Sequence, residues 1–335
     1  MEWTTSDILA ATGGRLLSGS SDTAFTGIGI DSRQLMPGSL FIAIEGDTHD
    51  GHTFAPEVVA LGGRGVVVRD GRTADTTLAV WQDRQVVCIT VPDTTRALGD
   101  IAAYHRRRML ARIVALTGSN GKTTTRAMTA AILNHKGTTL ATQGNLNNEI
   151  GLPLTLLQLT EAHTLAVVEM GMNHPGEIDR LGQIAAPDIG MIINVAPAHL
   201  EGLHSIEGVM HAKGELLRHI APAGRAILNA DDEYCRRLAE TCPVETLLFG
   251  FGPEAAIRAA DLDSGPRGWT FTLQMPYGEI PVKLQVPGKF MVANALAAAA
   301  AAYCCDVAPE TIQAGLESVA AVDGRMQLVP LPWGI

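Results

Sequence analysis

A short segment of the chain contains the residue types from which a phosphate-binding loop is built. It reads LTGSNGKTTTRAM over Leu116–Met128 and follows a β-branched stretch that predicts a strand. Gly118 and Gly121 would let successive N–H groups face phosphate oxygens, and the N-terminus of the following helix would add positive potential. Lys122 would then reach the β- and γ-phosphates, while the hydroxyl of Thr123 would hold Mg²⁺.

The segment departs from the usual phosphate-loop motif at one position. The pattern G-x-x-x-x-G-K-[ST] needs a glycine five residues before Gly121, where this chain has Leu116. A glycine-rich turn with a surface lysine is the alternative interpretation. Strand, G-K-T and helical spacing over 123–135 nevertheless follow in the required order, so we predict a nucleotide site. The loop residues predicted to bind the nucleotide are Gly118, Ser119, Asn120, Gly121, Lys122, Thr123 and Thr124.

Three further side chains are candidates for metal binding or catalysis. Glu169 follows the strand-like LAVV, and His199 comes four residues after the strand-like MIINV. In a parallel sheet both would lie at the same carboxyl edge as Lys122, where a carboxylate could bind Mg²⁺. Lys213, in HAKGELL, is on a helix, and its spacing alone favours an ordinary surface charge.

Three asparagines are concentrated in TQGNLNNEIGLPLTLLQL, at Asn145, Asn147 and Asn148. Asparagine is favoured in turns, where its side chain bonds to nearby backbone groups. The same amides could instead form a polar lip that contacts a substrate. Both interpretations stay open from the residues alone.

The arrangement of apolar segments predicts an α/β protein. The first ~85 residues have short apolar runs between glycines, which is typical of a small α/β domain. Strands alternating with helical stretches then predict a P-loop-type central domain, with a mainly parallel sheet flanked by helices. We therefore divide the chain into an N-terminal domain (1–85), a connecting segment (86–108), a central domain (109–322) and the start of a linker (323–335).

Composition excludes several classes of function. The net charge of −10 argues against a nucleic-acid-binding protein. No apolar run reaches the ~18 residues of a membrane span, and the first residues lack the features of a signal peptide, so we expect a cytoplasmic protein. The five cysteines show no C-x-x-C spacing, which predicts neither a disulfide framework nor a zinc site.

Several segments together resemble the Mur ligases of peptidoglycan synthesis. They are TGSNGKTTT, GNLNNEIGLPLTLL, VVEMGMNHPGEI, NVAPAHLEGLHSIEGVMHAKGE, NALAAAAAA and DSRQLMPGSLFIAIEGDTHDGHTFA, and the resemblance runs from about residue 27 to 325. The family's loop is the shorter T-G-x-[ST]-G-K-[ST], so the missing glycine is no objection. The chain is most similar to the type that joins D-alanyl-D-alanine to UDP-MurNAc-tripeptide.

The resemblance implies ATP-dependent ligation through an acyl phosphate, with ATP and Mg²⁺ bound by the central domain and the UDP-substrate by the N-terminal domain. Lys122, His199 and Lys213 would then be catalytic, and Lys213 would be an N-carboxylated lysine that helps His199 to hold a second Mg²⁺. The first Mg²⁺ would be bound by Thr123 and Glu169. The remaining implied contacts are Asn294 to adenine, Arg325 to the nucleotide, and Ser32, Arg33, Asp50, His52, Asn145, Asn147 and Asn148 to the UDP-substrate. We expect a monomer.

The chain departs from the family pattern in two places. Gly288, Lys289, Phe290 and Met291 stand where the family usually has G-x-H-N, which changes the expected contact to adenine. The family's C-terminal domain, which holds the amine substrate, has no counterpart in the sequence. We therefore expect this chain to bind UDP-substrate and ATP without completing ligation by itself.

Other functions remain open at this point. Folylpolyglutamate synthases share the central ATPase domain, although DSR and NLNN argue against them. Other Mur ligases usually have D-H-x-D where this chain has APAHLEG. A non-catalytic module that binds a nucleotide or a UDP-sugar is an alternative of a different class.

Overall fold

The structure is a computed structural model that describes residues 2–46, 48–265 and 268–319. Its strands are β1 (Trp3–Thr4), β2 (Arg15–Ser18), β3 (Ala24–Phe25), β4 (Ile28–Gly29), β5 (Leu40–Ile42), β6 (Gly65–Arg69), β7 (Val87–Val91), β8 (Arg112–Thr117), β9 (Thr139–Ala141), β10 (Leu165–Glu169), β11 (Ile189–Ile192), β12 (Arg225–Asn229), β13 (Glu245–Gly250), β14 (Ile257–Gly265), β15 (Gly268–Met275) and β16 (Gly278–Leu284). Its helices are α1 (Thr5–Thr12), α2 (Ala55–Ala60), α3 (Asp75–Asp83), α4 (Thr94–Arg107), α5 (Lys122–Asn134), α6 (Gly151–Leu156), α7 (Glu177–Ala185), α8 (Leu200–Leu203), α9 (Ile206–Gly214), α10 (Glu233–Glu240), α11 (Lys289–Cys304) and α12 (Pro309–Ser318).

The chain folds into two compact units. The first contains Met1–Met109 together with Glu149–Thr160, and the second contains Leu110–Asn148 and the described residues from Glu161 onward. The first unit therefore includes β7 and α4, which fall in the segment predicted to connect two domains. It also includes α6, which is distant from the rest of that unit in sequence.

The sheet of the first unit has the strand order β2–β7–β6–β5–β4, and its strands are parallel except for β2. Side chains of β6 alternate between two apolar clusters. Val67 packs with Ile8 of α1, whereas Val66 and Val68 pack with Trp81 of α3. Both faces are thus covered, which explains why β6 is apolar without alternation.

The sheet of the second unit has the strand order β16–β15–β14–β13–β12–β11–β8–β10–β9. It is parallel from β14 to β9, and β8 lies in its interior between β11 and β10. Val114 and Leu116 of β8 pack in one apolar cluster with Met128 of α5 and the alanines of α11. Small alanine side chains allow α11 to approach α5 and the sheet closely. Because β8, β10 and β11 are parallel neighbours, their C-terminal ends lie side by side at the same end of the strands.

The predicted fold class is confirmed: a small N-terminal sheet precedes a mainly parallel central sheet flanked by helices. Sequence reasoning missed the antiparallel addition of β15 and β16 to the edge of the central sheet. Cys88, Cys235, Cys304 and Cys305 are buried free thiols. Among the described residues, no helix combines the length and the apolar character that crossing a membrane requires.

Candidate functional site

The predicted phosphate loop connects β8 to α5. Gly121 is the N-cap of α5 and has a φ of 83°, a left-handed conformation that glycine adopts without strain. The N–H groups of the first turn of α5 and the helix dipole make this end of the helix suitable for an anion. The Nζ of Lys122 folds back over the loop and donates to the carbonyl of Gly118 at 2.7 Å. A bound phosphate could replace that carbonyl as its partner.

Asn294 of α11 lies against the loop. A β-carbon added to Gly121 would overlap with the Oδ1 atom of Asn294, which is itself only 5% exposed. Position 121 therefore requires glycine for two independent reasons, its φ and its packing. The structure thus places the predicted adenine residue Asn294 close to the turn that would hold the phosphates.

Asn194, which follows β11, fixes the conformation of the loop. Its Oδ1 accepts from the backbone N of Asn120 at 2.9 Å, and its Nδ2 donates to the carbonyl of Asn120 at 3.0 Å. Ser119 adds to this connection because its hydroxyl donates to the carbonyl of Ala196 at 2.8 Å. Sequence reasoning did not assign Asn194 a role, although an asparagine directly after a strand of the same sheet was a usable signal.

A pocket of about 830 Å³ opens beside the loop. It brings together many of the residues that the sequence singled out, and its lining is Ser119, Asn120, Gly121, Lys122, Thr123, Arg126, Gly144, Asn145, Asn147 and Glu169. The predicted central-domain residues that the structure describes outside this lining are Gly118, Thr124, Asn148, His199, Lys213 and Asn294. The phosphate loop, the asparagine turn and the candidate metal carboxylate therefore share one cavity.

Glu169 ends β10 as a buried carboxylate that is 2% exposed. Its Oε1 accepts from the Nδ2 of Asn147 at 3.0 Å. Its Oε2 has no hydrogen-bond donor among the described residues, and the nearest cation there is the Nη1 of Arg126 at 3.7 Å. Sequence reasoning missed Arg126, although it lies four residues after Lys122 and hence on the same face of α5.

The single carboxylate at Glu169 suits Mg²⁺, which needs few protein ligands, better than it suits a metal ion that is coordinated by protein atoms alone. Mg²⁺ is usually bound by one or two carboxylates, together with waters and substrate phosphates. Glu169 leaves one buried carboxylate oxygen unbonded beside the hydroxyl-bearing start of α5. Within the described part of the chain, no three His, Cys, Asp or Glu side chains form a group that could hold a metal ion.

Lys213 is not the surface charge that its spacing favoured. It is 2% exposed on α9 and has no hydrogen-bond acceptor among the described residues. Burial, helped by the nearby charge of Lys122 and slightly opposed by Cys235, lowers the pKa of its amine to about 7. At pH 7 roughly half of these amines are therefore neutral, and the neutral form is the one that can react as an amine.

His199 precedes the single-turn helix α8 and is exposed. Its φ of 54° lies in the left-handed region, which is uncommon for a residue other than glycine. Among the described residues, no hydrogen bond or ion pair joins His199 to Glu169 or to Lys213. The structure therefore does not bring the three candidate metal ligands into direct contact.

Of the residues predicted to hold the UDP-substrate, Ser32, Arg33, Asp50 and His52 lie in the first unit, where Arg33 pairs with Asp31 and His52 pairs with Asp50. Asp31 accepts from the Nε of Arg33 at 2.9 Å and from its Nη2 at 2.8 Å, and these bonds lower the pKa of Asp31 to about 2. Ser32 lies between them in sequence. Within the described residues, no hydrogen bond or ion pair joins this pair to Asp50 or His52.

The second pair is part of a larger polar network. The backbone N of Arg69 donates to the Nε2 of His52 at 2.9 Å, so the proton of the ring must be on Nδ1, which donates to Asp50 at 2.7 Å. Arg72 also donates to Asp50. Burial opposes the ionisation of Asp50, but the bonds from His52 and the charge of Arg72 lower its pKa overall. Arg325 lies outside the described residues.

Comparison with known proteins gives matches over nearly the whole chain. Residues 116–302 match the family described as "Mur ligase middle domain", and residues 24–115 match "Mur ligase family, catalytic domain". The UDP-N-acetylmuramoyl-tripeptide–D-alanyl-D-alanine ligase of Escherichia coli (strain K12) is 40% identical over 309 residues, which are 91% of this chain and 66% of that protein. The chain thus spans slightly less than two thirds of that relative's length.

Solved structures show the same similarity. A crystal structure of MurF from Acinetobacter baumannii has a TM-score of 0.91 and 34% identity, and the match covers 99% of this chain and 71% of that one. The MurF ligase from Thermotoga maritima, solved in complex with ADP, has a TM-score of 0.79 and 26% identity, with 89% of this chain and 67% of that one covered.

Proposed function

Because this chain belongs to the Mur ligase family, we propose that its protein joins D-alanyl-D-alanine to UDP-MurNAc-tripeptide with ATP. The observation that carries the proposal is the pocket in which the phosphate loop, Glu169 and the asparagine turn meet. In this proposal the N-terminal domain (1–85) binds the UDP-substrate, residues 86–108 connect it to the ATP-binding domain (109–322), and a linker begins at 323. We also propose a cytoplasmic monomer.

The chemistry follows from the charges that develop on oxygen. The terminal carboxylate of the tripeptide attacks the γ-phosphorus of ATP, which releases ADP and forms an acyl phosphate. The amine of D-alanyl-D-alanine then adds to the acyl carbon, and phosphate leaves from a tetrahedral intermediate. Both steps require stabilisation of negative oxygen, which the N–H groups at the start of α5 can supply, together with Lys122 once its amine leaves the carbonyl of Gly118.

The other candidate residues have supporting roles in this proposal. Thr123 and Glu169 would hold a Mg²⁺ ion that neutralises phosphate charge, and His199 with Lys213 would hold a second one. The lowered pKa of Lys213 supports its N-carboxylation, which needs a neutral amine. Asn294 and Arg325 would contact the nucleotide, whereas Ser32, Arg33, Asp50, His52, Asn145, Asn147 and Asn148 would contact the UDP-substrate.

Calorimetric titration with ADP and a non-hydrolysable ATP analogue, each with Mg²⁺, tests the nucleotide half of the proposal. We expect Lys122→Ala to weaken nucleotide binding at least tenfold, because a charge-assisted bond to phosphate contributes roughly 1.5–3 kcal/mol. Lys283→Ala is the matched control, since Lys283 is an exposed lysine on the edge strand β16. Equal nucleotide affinities of wild type and Lys122→Ala would show that this lysine does not bind the nucleotide phosphates.

A further inference from the structure

Arg126 is a charged residue of the pocket that the proposed mechanism does not use. It lies one helical turn after Lys122 on α5, and its side chain is 11% exposed. Its Nη1 donates to the carbonyl of Gly144, another residue that lines the pocket, at 3.0 Å. The same nitrogen is 3.7 Å from the Oε2 of Glu169. The guanidinium is therefore held next to the carboxylate oxygen that the metal ion would take.

The charges that line the pocket favour an anion over a free cation. Lys122 and Arg126 contribute two positive charges, and Glu169 contributes one negative charge. A bare divalent cation at Glu169 would meet both positive groups in a partly buried site, where charges are poorly screened. A cation already bound to phosphates would bring compensating negative charge with it. The electrostatic preference of the site is thus for the metal–nucleotide complex.

We propose that Arg126 is a positioning residue that makes metal binding at Glu169 dependent on the nucleotide. Its charge offsets that of the buried carboxylate, repels a free divalent ion and attracts the phosphates with which a nucleotide-bound ion arrives. Asn147 complements it by orienting Glu169 through Oε1, which leaves Oε2 for the metal. The inference rests on the proposed function because it assumes that this pocket receives ATP.

Binding of free Mn²⁺, followed by electron paramagnetic resonance without nucleotide, tests the proposal without relying on turnover. We expect Arg126→Gln to tighten Mn²⁺ binding at least fivefold and, in separate calorimetry, to weaken metal-free ADP binding. Arg126→Lys keeps the charge and should behave as wild type. Arg112→Gln is the matched control, since Arg112 starts β8 at the end of the strand opposite the loop.

The tighter Mn²⁺ binding of Arg126→Gln should depend on Glu169. The double variant Arg126→Gln, Glu169→Gln should therefore lose that increase in Mn²⁺ affinity. If Arg126→Gln does not fold, Arg126→Met, which keeps the apolar stem, replaces it in the same titrations. Mn²⁺ affinity that stays within twofold of wild type, or falls, would overturn the inference. That result is distinguishable from failure of the proposed function, in which the wild-type chain itself would not bind ADP.

Discussion

Lys213 carries an energetic cost in the folded state because its amine is buried. A lysine that is 2% exposed and has a pKa of about 7 is neutral in much of the folded population at neutral pH, whereas the unfolded chain binds the proton. The unfolded state therefore binds more protons between pH 7 and about 10.5, and stability rises with pH across that window. Below pH 7 the amine is protonated in both states, so the folded state carries the whole free-energy cost of burying its charge.

Replacing Lys213 with methionine, which keeps the unbranched stem, should remove that penalty. We expect Lys213→Met to raise the free energy of unfolding at pH 7 by roughly 2 kcal/mol or more, since each unit of pKa shift corresponds to about 1.4 kcal/mol. Denaturant unfolding at pH 7 and pH 9.5 in CO₂-free buffer measures this, and the gain should be smaller at pH 9.5. A variant less stable than wild type at both pH values would contradict the pKa assignment.

Some of these residues could be identified from the sequence and others could not. Gly118, Gly121, Lys122 and Thr123 belong to one contiguous motif, so type and spacing were sufficient to place them between a strand and a helix. The burial of Lys213 depends on packing around α9, which spacing along one helix does not reveal. Arg126 was missed because its partners, Gly144 and Glu169, belong to other segments.

At the level of elements, the phosphate loop is shaped by the two elements beside it. Asn194 after β11 bonds both backbone groups of Asn120, and Asn294 of α11 fills the space next to Gly121. The sequence predicted strand, loop and helix correctly, because these are local. The bonds from Asn194 depend on the parallel pairing of β8 with β11, which no local pattern specifies.

The contact between α11 and the loop predicts a specific double-mutant result. Gly121→Ala should destabilise the chain by about 2 kcal/mol or more, because it adds left-handed strain to a steric overlap with Asn294. Combining it with Asn294→Ala should relieve the overlap and recover part of the lost stability. The rest should stay lost, because alanine at position 121 would still be strained at a φ of 83°. Denaturant unfolding of the four proteins in the cycle gives the coupling energy, and additive effects would show that the two residues do not touch.

The antiparallel strands β15 and β16 were missed for a different reason. Their apolar residues alternate with polar ones, as in any half-exposed strand, but nothing in that pattern states which sheet edge they join. The structure shows that they pair onto β14 at the edge of the central sheet.

For the whole molecule, the two compact units are not continuous in sequence. Residues Glu149–Thr160 belong to the first unit although they interrupt the second. His105 of α4 helps to hold them, because its Nε2 donates to the carbonyl of Leu159 at 2.8 Å. Length and composition predicted two domains, but an insertion of this kind depends on long-range packing that a linear reading cannot detect.

The contact of His105 makes the stability of the first unit sensitive to acid. Burial lowers the pKa of His105, outweighing the opposite effect of its bond to Leu159. The unfolded chain then binds more protons, so stability should fall as the pH drops below the ordinary histidine value of about 6.5. We expect His105→Gln to flatten this dependence between pH 7 and pH 5 in thermal unfolding, and the exposed His135→Gln to leave it unchanged. An unaltered profile in His105→Gln would assign the acid sensitivity to other groups.

We propose that this chain, a member of the Mur ligase family, recognises a UDP-MurNAc-peptide substrate together with a metal–nucleotide complex. Calorimetric titration with UDP-MurNAc-tripeptide, with UDP-MurNAc-L-alanine and a folate substrate as comparators, tests it most directly when each is run with Mg²⁺ and a non-hydrolysable ATP analogue. We expect the tripeptide to bind at least tenfold more tightly than either comparator. Binding of the tripeptide no tighter than the comparators would contradict it and leave only a Mur-type nucleotide-binding core.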